Sequence, residues 1–530
     1  MEAGPRFGYV PAAAPPREPA NPARNSHPIV SPDPSPTASV AVAAAGESRN
    51  LFFRVFPSIM LPMFLAVVDQ TIVATALPAI AATLGQIGRA SWVVIAYLIS
   101  TTIAAPVYGQ LGDVFGRKRM MFIALAIFMA SSVLCAASQS IEMLTGARIL
   151  QGLGGGGLMT LSQALIGETI PPRERGRYQG YLAGVMVTSS AFGPVVGGFL
   201  THYFGWRSVF LVNLPIGVIA LFLTTRLVPR GGPRPSWHFD MPGLIWFVLF
   251  VTTILLALDQ AQRWEPRTLL TVLGLLGLSI ASLGLLLWQE NRAQTPLLPV
   301  ALLGKAAIWR SDALAACHGG TLVSMITFLP IYLQAVRGLS PQETGLLLLP
   351  LTAGIGIGSI VTGRIMTRTG LTTIFPIWGL AVVTVNLILF ALLASRLPTA
   401  YLPWIFGWNA LFMGTVMGVV QITVQVVAGP KMLGAGAASV QYSRSVGAAF
   451  GTAIVAAVLF SVLAATDPDT ARLFAVMVQR GPSAMATLEP ARQAVVQAEI
   501  AEAFQAAFLA MAAFTGIGLL LAWSIPVRRI

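Results

Sequence analysis

Long apolar runs separated by short polar segments dominate the chain from about residue 54 onward. The runs are about 18 to 25 residues long, which is the length an α-helix needs to cross a hydrocarbon core about 30 Å thick. We count about fourteen runs and predict that each forms a membrane-spanning helix. Their approximate ranges are 54–77, 91–110, 120–139, 143–167, 178–200, 207–226, 241–260, 268–288, 311–333, 343–363, 371–394, 401–427, 434–463 and 502–525.

Residues 1–50 have a different composition, rich in Pro, Ala and Ser. No basic flank leads into an apolar core and a cleavage site, so the segment is a poor signal peptide. The stretch TASVAVAAAG is apolar but too short to span a bilayer. We predict that residues 1–50 form a disordered tail.

The distribution of charge fits a membrane protein. Only 10% of the residues are charged, against about 25% in soluble domains. The net charge of +13 would suggest nucleic-acid binding in a soluble protein, but here the basic residues fall in short loops. If the N-terminus is cytoplasmic, the inner loops carry about twice as many Lys and Arg as the outer loops. We therefore predict a multi-pass plasma-membrane protein, surrounded by lipid, with both termini cytoplasmic and no nucleic-acid partner.

Several classes of chemistry have no signal in the sequence. Cys135 and Cys317 lie inside apolar runs and indicate no disulfide framework. There is no zinc-type Cys/His spacing, no phosphate-cradling GxxxxGK[ST] and no cluster of His and acidic residues in any run. We expect no enzyme activity, no metal and no cofactor.

An internal repeat relates the two halves of the chain. Two short patterns recur at nearly the same offset, which predicts homologous six-helix bundles at 51–230 and 301–530. An inserted helix pair with linkers occupies 231–300, and a solvated outer loop that could be partly helical occupies 464–500. The matches are Gly109, Leu111, Asp113 and Gly116 with Gly363, Ile365, Thr367 and Gly370, and 191–193 with 449–451.

Asp69 and Arg148 are ionisable residues well inside apolar runs. A charged group at that depth costs roughly 2.5 to 3.5 kcal/mol on insertion scales, so its presence needs a reason. Counted along their helices, both residues lie about 11 Å below the outer surface, where they can interact. The pair could have a functional role in which the carboxylate binds and releases a proton, or it could be a static ion pair joining two helices.

The stretch GQLGDVFGRKRM, residues 109–120, concentrates charge between two spans. Arg117 and Lys118 fit the positive-inside bias, but acidic residues contribute little to topology, so Asp113 needs another explanation. We hypothesise that Asp113 closes a cytoplasmic latch by pairing with Arg117 or with the positive end of a helix near Gly434. Thr367 replaces Asp113 in the repeat, so this latch would be one-sided.

Two further groups of residues carry polar or packing signals. In GPVVGG, Pro194 removes a backbone donor, Gly193 and Gly197 have small-xxx-small spacing, and Gly198 follows; close helix packing is the simplest interpretation. Candidates for lining a central cavity are the polar residues within spans and two large side chains, although polar residues in spans are more often interhelical hydrogen-bond partners than ligand contacts. These candidates are Gln163, Met186, His318, Trp408, Asn409, Gln425 and Arg444.

Over residues 50–530 the chain resembles the fourteen-span drug:proton antiporters of the major facilitator superfamily. The resemblance rests on DQTIVATALPAI from Asp69, GQLGDVFGRKR from Gly109, RILQGLGGGG from Arg148 and GPVVGG from Gly193. It implies an all-α major facilitator fold of two six-helix bundles plus two extra central helices. Gly109, Asp113, Gly116, Arg117 and Lys118 match the family's loop signature.

The resemblance also implies a function. The family exports amphipathic or cationic organic compounds by alternating access and is powered by the proton gradient, and GPVVGG seals one face of its cavity. Proton-coupled uptake of a small organic solute and a non-transporting membrane sensor remain alternatives. Relatives in two-membrane bacteria often work from the inner membrane with a periplasmic adaptor protein, for which the sequence carries no signal of its own.

Overall fold

The computed structural model describes residues 36–84, 91–172, 174–227, 239–261, 269–297, 300–394, 396–480 and 489–529. It divides into two compact units, Met1–Phe52 and Phe53–Ile530. In the first unit, helix α1 begins at Pro36. The predicted tail 1–50 is therefore helical over its last residues, where the Ala-rich stretch TASVAVAAAG has high helix propensity. Residues 1–35 of that tail lie outside the described part of the chain.

The first bundle consists of five long helices and a divided sixth. One residue, Val212, separates the two parts of the sixth helix, so α7 begins at the polar residue Asn213. The helices are α1 (Pro36–Leu84), α2 (Ser91–Phe115), α3 (Arg117–Ala137), α4 (Ile141–Thr169), α5 (Arg175–Phe204), α6 (Ser208–Leu211) and α7 (Asn213–Thr225).

The second bundle follows an inserted pair of helices, α8 (Met241–Ala261) and α9 (Leu269–Glu290). Short 3₁₀ turns at Thr399–Tyr401 and Pro430–Met432 precede two of its helices. Its helices are α10 (Val300–Leu303), α11 (Ala306–Ala335), α12 (Pro341–Thr369), α13 (Ile374–Leu393), α14 (Leu402–Met413), α15 (Met417–Ala428), α16 (Leu433–Thr466), α17 (Pro468–Arg480) and α18 (Pro490–Ser524).

The inserted pair packs at the seam between the two bundles. The Phe247 ring of α8 lies 5.3 Å from the Tyr442 ring of α16, centroid to centroid. The apolar cluster around Phe247 also includes Ile103 of α2. The pair therefore contacts one helix from each bundle.

Thirteen helical segments in the described part of the chain are long and apolar enough to cross a membrane. The predicted count was about fourteen, and the difference is α4, which is 29 residues long. Its run of glycines and its charged residues lower its hydropathy, yet it packs against α2 and α3 and buries Arg148 completely. The nearly all-helical architecture confirms the predicted fold class.

The predicted outer loop 464–500 is the main departure from the expected helix boundaries. α16 continues to Thr466, α17 fills 468–480, and α18 begins at Pro490 rather than near residue 502. α17 is amphipathic, and its Phe474 is buried between the rings of Phe460 and Phe504. Its polar residues suggested a loop because they cover only one face of this helix.

One side of the molecule, which we call the basic face, contains the C-terminal ends of α2, α4, α7, α12, α15 and α18. Basic side chains at this face donate hydrogen bonds to the carbonyls that helix ends leave unpaired. Lys118 binds the carbonyls of Thr225 and Leu227 at 2.7 and 2.6 Å. Lys305 binds the Val427 carbonyl, and Arg310 binds that of Ser524. These charges therefore also stabilise helix ends.

Candidate functional site

Asp69 of α1 and Arg148 of α4 form an ion pair inside the first bundle. The Arg148 guanidinium donates to Asp69 Oδ2 at 2.5 Å, and both side chains are fully buried. A second nitrogen, Nε, donates to the Val93 carbonyl at 3.2 Å. An isolated charge at such a place would be very unfavourable, so each partner makes the burial of the other tolerable.

Three neutral polar side chains complete the hydrogen bonding around Asp69. Gln151 donates to Asp69 Oδ1 at 2.9 Å and accepts from Arg148 at 2.7 Å. Asn213 donates to the same Oδ1 at 2.7 Å. The Ser132 hydroxyl accepts from Gln151 at 2.8 Å and from Asn213 at 3.3 Å. The network therefore joins α1, α3, α4 and α7.

Aromatic rings enclose the guanidinium. The Arg148 Cζ atom lies 4.0 Å from the centre of the Tyr97 ring and 5.9 Å from that of Phe210. A cation over a ring face gains about 0.5 to 2 kcal/mol when it is desolvated. In the part of the chain that the structure describes, one guanidinium nitrogen of Arg148 has no hydrogen-bond partner, so charge and ring contacts hold the arginine as well as hydrogen-bond acceptors.

The two charged residues were predicted from the sequence, but their neutral hydrogen-bond partners were not. Gln151 lies three residues after Arg148, on the same face of α4, and this spacing was an available signal. Asn213 lies in an otherwise apolar span, where a polar side chain typically binds another helix. Ser132 and Tyr97 belong to residue types too common in membrane helices to stand out.

Asp113 links the two bundles at the basic face. Its carboxylate accepts hydrogen bonds from the Gly434 amide at 3.0 and 3.1 Å and from the Ala435 amide at 3.2 Å. It also pairs with Arg117, which in turn contacts Glu168 at 2.6 Å. Asp113 thus binds both partners proposed from the sequence, and it caps the positive N-terminal end of α16.

Close backbone contacts surround this carboxylate. A Cβ atom on Gly109 would lie 2.7 Å from the Gly434 carbonyl oxygen, so neither position has room for a side chain. The equivalent contact elsewhere joins Gly363 of α12 to Gly176 of α5. There, Thr367 donates to the Gly363 carbonyl of its own helix at 2.8 Å. The carboxylate cap is present at only one of these two contacts.

Gly116 and Lys118 have local roles beside the latch. Gly116 adopts φ of +90° between α2 and α3, a backbone conformation that favours glycine. Lys118 binds the end of α7 and does not reach the second bundle. Of the predicted latch residues, Gly109 and Asp113 contact α16 directly, whereas Arg117 forms an ion pair with Asp113.

The GPVVGG stretch packs α5 against α1 beside the ion pair. A Cβ atom on Gly193 would lie 1.8 Å from Thr71 Oγ1, and one on Gly197 would lie 2.3 Å from Thr75 Oγ1. Nothing lies within 4 Å of a Cβ on Gly198. The helix is continuous through Pro194. Two of the three glycines therefore permit close contact with the helix that carries Asp69.

Four of the predicted cavity residues meet where the bundles face each other. The Gln425 amide of α15 donates to the Gln163 carbonyl of α4 at 2.9 Å. Arg444 of α16 lies 4.0 Å from the Met186 sulfur of α5. Gln441, which accepts from Arg444 at 2.9 Å, also contacts Met159 at 3.8 Å. Polar groups and methionines therefore line the contact between the bundles.

The other three candidates lie elsewhere. His318 is buried in the second bundle and bonds the Met413 carbonyl at 3.0 Å. Asn409 lines a small cavity inside the second bundle together with Asn386. Trp408 is 56% exposed and contacts the Phe412 ring edge-on, with 5.0 Å between the ring centroids. Among the described residues, none of the three contacts the first bundle.

Two repeated helical bundles, a buried ion pair in one of them and a close contact between them on one face define a polytopic membrane transport protein. Residues 59–452 match the model of the Major Facilitator Superfamily. The chain therefore belongs to this superfamily, as its sequence motifs indicated, and it is a transporter of small substrates rather than an enzyme.

Similar proteins agree with this assignment. An uncharacterized MFS-type transporter of Mycobacterium tuberculosis is 32% identical over 490 residues, covering 92% of this chain and 71% of the relative. Multidrug transporter protein MdtP of Bacillus subtilis is 30% identical, covering 76% and 74%. The crystal structure of the human organic anion transporter MFSD10 superposes with a TM-score of 0.61 at 14% identity, over 88% of this chain and 99% of that one. That last similarity concerns the fold.

Proposed function

We propose that this protein exports amphipathic organic compounds across the plasma membrane in exchange for protons. The observation that carries the proposal is the buried pair of Asp69 and Arg148, with the hydrogen bonds that Gln151 and Asn213 donate to the carboxylate. The name of the Bacillus relative, a multidrug transporter, supports transport of drug-like compounds. The proton gradient supplies the energy, so no cofactor is required.

Asp69 is the proposed proton acceptor. While it is ionised, it holds Arg148, Gln151 and Asn213 around one carboxylate. Protonation removes the counter-charge of Arg148 in a site that has no water-like dielectric to compensate. The arginine then has to find a new partner or more solvent, so the helices that meet in this network rearrange when the proton binds.

A continuous series of contacts carries that rearrangement to the basic face. α1 holds Asp69 and packs through Thr71 against Gly193 of α5. The other end of α5 packs through Gly176 against Gly363 of α12, in the second bundle. A shift of α1 relative to α5 therefore changes the contact between the bundles, as rigid-body alternating access requires.

We assign the basic face to the cytoplasm, following the positive-inside rule. Both termini are then cytoplasmic, and the contacts of Asp113 and Gly109 with α16 close the cytoplasmic side. Opening this side admits substrate from the cytosol or the inner leaflet. Closing it restores the hydrogen bonds of Asp113 to the Gly434 and Ala435 amides.

Reconstitution into proteoliposomes tests the proposal. An imposed proton gradient should drive an amphipathic dye against its concentration gradient in wild type. Asp69→Asn should bind and equilibrate the dye without concentrating it, because the carboxylate that takes the proton is gone. Asp467→Asn, at a half-buried aspartate outside the membrane-spanning segments, serves as the matched control. Proton-driven accumulation that survives in Asp69→Asn would refute the coupling role.

The direction of transport needs its own measurement. Inside-out and right-side-out vesicles separate export from uptake, the alternative activity on this fold. Export predicts dye accumulation in inside-out vesicles whose lumen is acidic. Accumulation together with protons entering the same compartment would instead establish uptake.

A further inference from the structure

Asp312 is a second buried carboxylate, one that the motifs do not include. It lies near the start of α11 and is 6% exposed. Its Oδ1 atom is 3.3 Å from the Ser439 hydroxyl of α16, and its buried Oδ2 atom has no hydrogen-bond partner among the described residues. An ionised carboxylate in this position would be only poorly compensated for its loss of water.

The contacts of Ser439 are compatible with a protonated Asp312. The Ser439 oxygen is within bonding distance of both Asp312 Oδ1 and the Gly436 carbonyl, which is 3.1 Å away. A hydroxyl has one hydrogen to donate, and a carbonyl can only accept. If Ser439 donates to Gly436, the contact with Asp312 becomes a hydrogen bond only when the carboxyl group carries the proton.

No basic group neutralises Asp312 in the described part of the chain. Lys305, the residue before α11, and Arg310 of α11 donate hydrogen bonds to the carbonyls of Val427 and Ser524. α10 and α15 carry no charged residue, and no ion pair joins Asp312 to any other described residue. The titratable and charged groups on the helices packed against it are Cys317, His318 and Tyr332 of α11, Glu343, Arg364 and Arg368 of α12, Tyr442 and Arg444 of α16, and Arg492, Glu499 and Glu502 of α18.

The position of Asp312 connects it to the latch. The first turns of α16 bind Asp113 of the first bundle at Gly434 and Ala435, and Asp312 of the second bundle at Ser439. Both contacts lie near the basic face. Any movement that pulls α16 away from Asp113 also changes the surroundings of Asp312 and brings it closer to water.

We propose that Asp312 is a second proton-carrying site, in the bundle opposite to Asp69. It is neutral while the basic face is closed, and it releases its proton to water at that face when the face opens. No covalent bond other than the carboxyl O–H bond breaks. This inference rests on the proposed proton-coupled export, and it assigns a proton-binding role to the second bundle.

Infrared difference spectroscopy tests the protonation state without any transport assay. Wild type at neutral pH should show a carboxyl C=O stretch that Asp312→Asn lacks. Ser439→Ala should shift this band to higher frequency, because the hydrogen bond to the carboxyl group is lost. In Asp467→Asn the band should be unchanged, since hydrogen bonds from Arg492 and the Asp469 amide lower the pKa of Asp467 to about 2. Identical spectra for wild type and Asp312→Asn would overturn the proposal.

Counting protons in proteoliposomes tests the carrying role. Asp312→Asn, which keeps the size and polarity of the side chain, should move one proton fewer per substrate than wild type. An unchanged ratio overturns the proposal. If wild type itself shows no proton-driven transport, the proposed function fails instead, and the infrared band still decides whether Asp312 binds a proton. Monodisperse elution of Asp312→Asn in detergent shows that the variant is folded.

Discussion

A Cβ atom on Gly434 would lie only 2.2 Å from the carbonyl oxygen of Gly109, so the two bundles meet there backbone to backbone. Gly176 and Gly363 repeat this relationship, since a Cβ atom on Gly176 would lie 2.8 Å from the Gly363 carbonyl oxygen. The offset that relates Ala191 to Ala449 in the internal repeat also relates Gly176 to Gly434. The contact at the basic face is therefore a symmetric feature of the two halves, whereas Asp113 is present in one half only.

Gly434→Ala should open the basic face. The added methyl group would meet the backbone of Gly109, which cannot turn away as a side chain could. Spin labels can be attached at Phe115→Cys and Lys431→Cys in a chain in which Cys135 and Cys317 are replaced by Ala. Double electron–electron resonance should then measure a longer distance between the two labels. Gly146→Ala, where nothing lies within 4 Å of the new Cβ, should leave the distance unchanged. An unaltered distance in Gly434→Ala would show that the contact can yield without opening.

Asp113→Asn should shift the same equilibrium less completely. The amide oxygen still accepts from the Gly434 amide, but the negative charge at the end of α16 and the ion pair with Arg117 are lost. We expect a loss of about 1 to 2 kcal/mol, which changes the ratio of closed to open molecules roughly five- to thirtyfold. The same spin-label pair measures this ratio. If the ratio does not change, the basic residues of this loop act only in topology.

Arg148→Gln should be more damaging than the double variant Asp69→Asn/Arg148→Gln. Removing the arginine alone leaves Asp69 buried without its counter-charge, at a cost of about 3 to 5 kcal/mol. Neutralising both partners leaves neutral groups that can bind one another, so thermal stability in detergent should recover. Proton-driven transport should be absent from both variants. Equal stability of the two would mean that Asp69 takes up a proton as soon as Arg148 is removed.

Much of this site follows from residue spacing. The constant rise of a helix placed Asp69 and Arg148 at one depth, and the positive-inside rule explained why Lys118 lies at the basic face. The same rules place Asp113 at the end of α2. These inferences need only distances along single helices, which follow from the number of residues and the rise per residue.

Contacts between distant segments could not be read in this way. Ser439 lies more than 120 residues from Asp312, and neither residue type is unusual, so only the packed helices bring them together. Gln151 was overlooked because a glutamine in a span has many partners to choose from. The sequence left open which part of 464–500 is helical, because the burial of Phe474 depends on Phe460 and Phe504, which belong to other helices.

Gly193→Ala should reduce transport strongly, whereas Gly198→Ala should not. The methyl group on residue 193 would overlap the Thr71 hydroxyl, two residues beyond Asp69, but the one on residue 198 would meet nothing within 4 Å. Both changes remove a glycine from the same motif, so a difference between them shows the effect of the contact with α1 and not that of losing a motif glycine. Initial rates of dye export in vesicles, normalised to the amount of protein, give the comparison. Equal loss in the two variants would mean that backbone flexibility, not contact with α1, is what the glycines provide.

Arg444→Gln should change which substrates are exported. Arg444 is a half-buried cation where α16 faces Met186 of the first bundle, and among the residues that the structure describes it has no carboxylate partner. A cation that binds only Gln441 and a thioether sulfur favours anionic over cationic ligands. We therefore expect the variant to raise KM for anionic amphipathic compounds at least about tenfold, which corresponds to the free energy of one charge-assisted hydrogen bond. The KM for cationic compounds should change little.

Competition assays with a matched pair of dyes that differ only in charge measure this preference. Arg444→Lys should restore part of the affinity for the anion, because a point charge replaces the planar fork. Arg472→Gln, which neutralises an exposed arginine on α17, is the control for net charge. If Arg444→Gln weakens anionic and cationic dyes equally, the guanidinium stabilises the contact between the bundles instead of selecting the substrate. A selective loss of affinity for the cationic dye would contradict the electrostatic argument, because removing a positive charge removes a repulsion and should not weaken the binding of a cation.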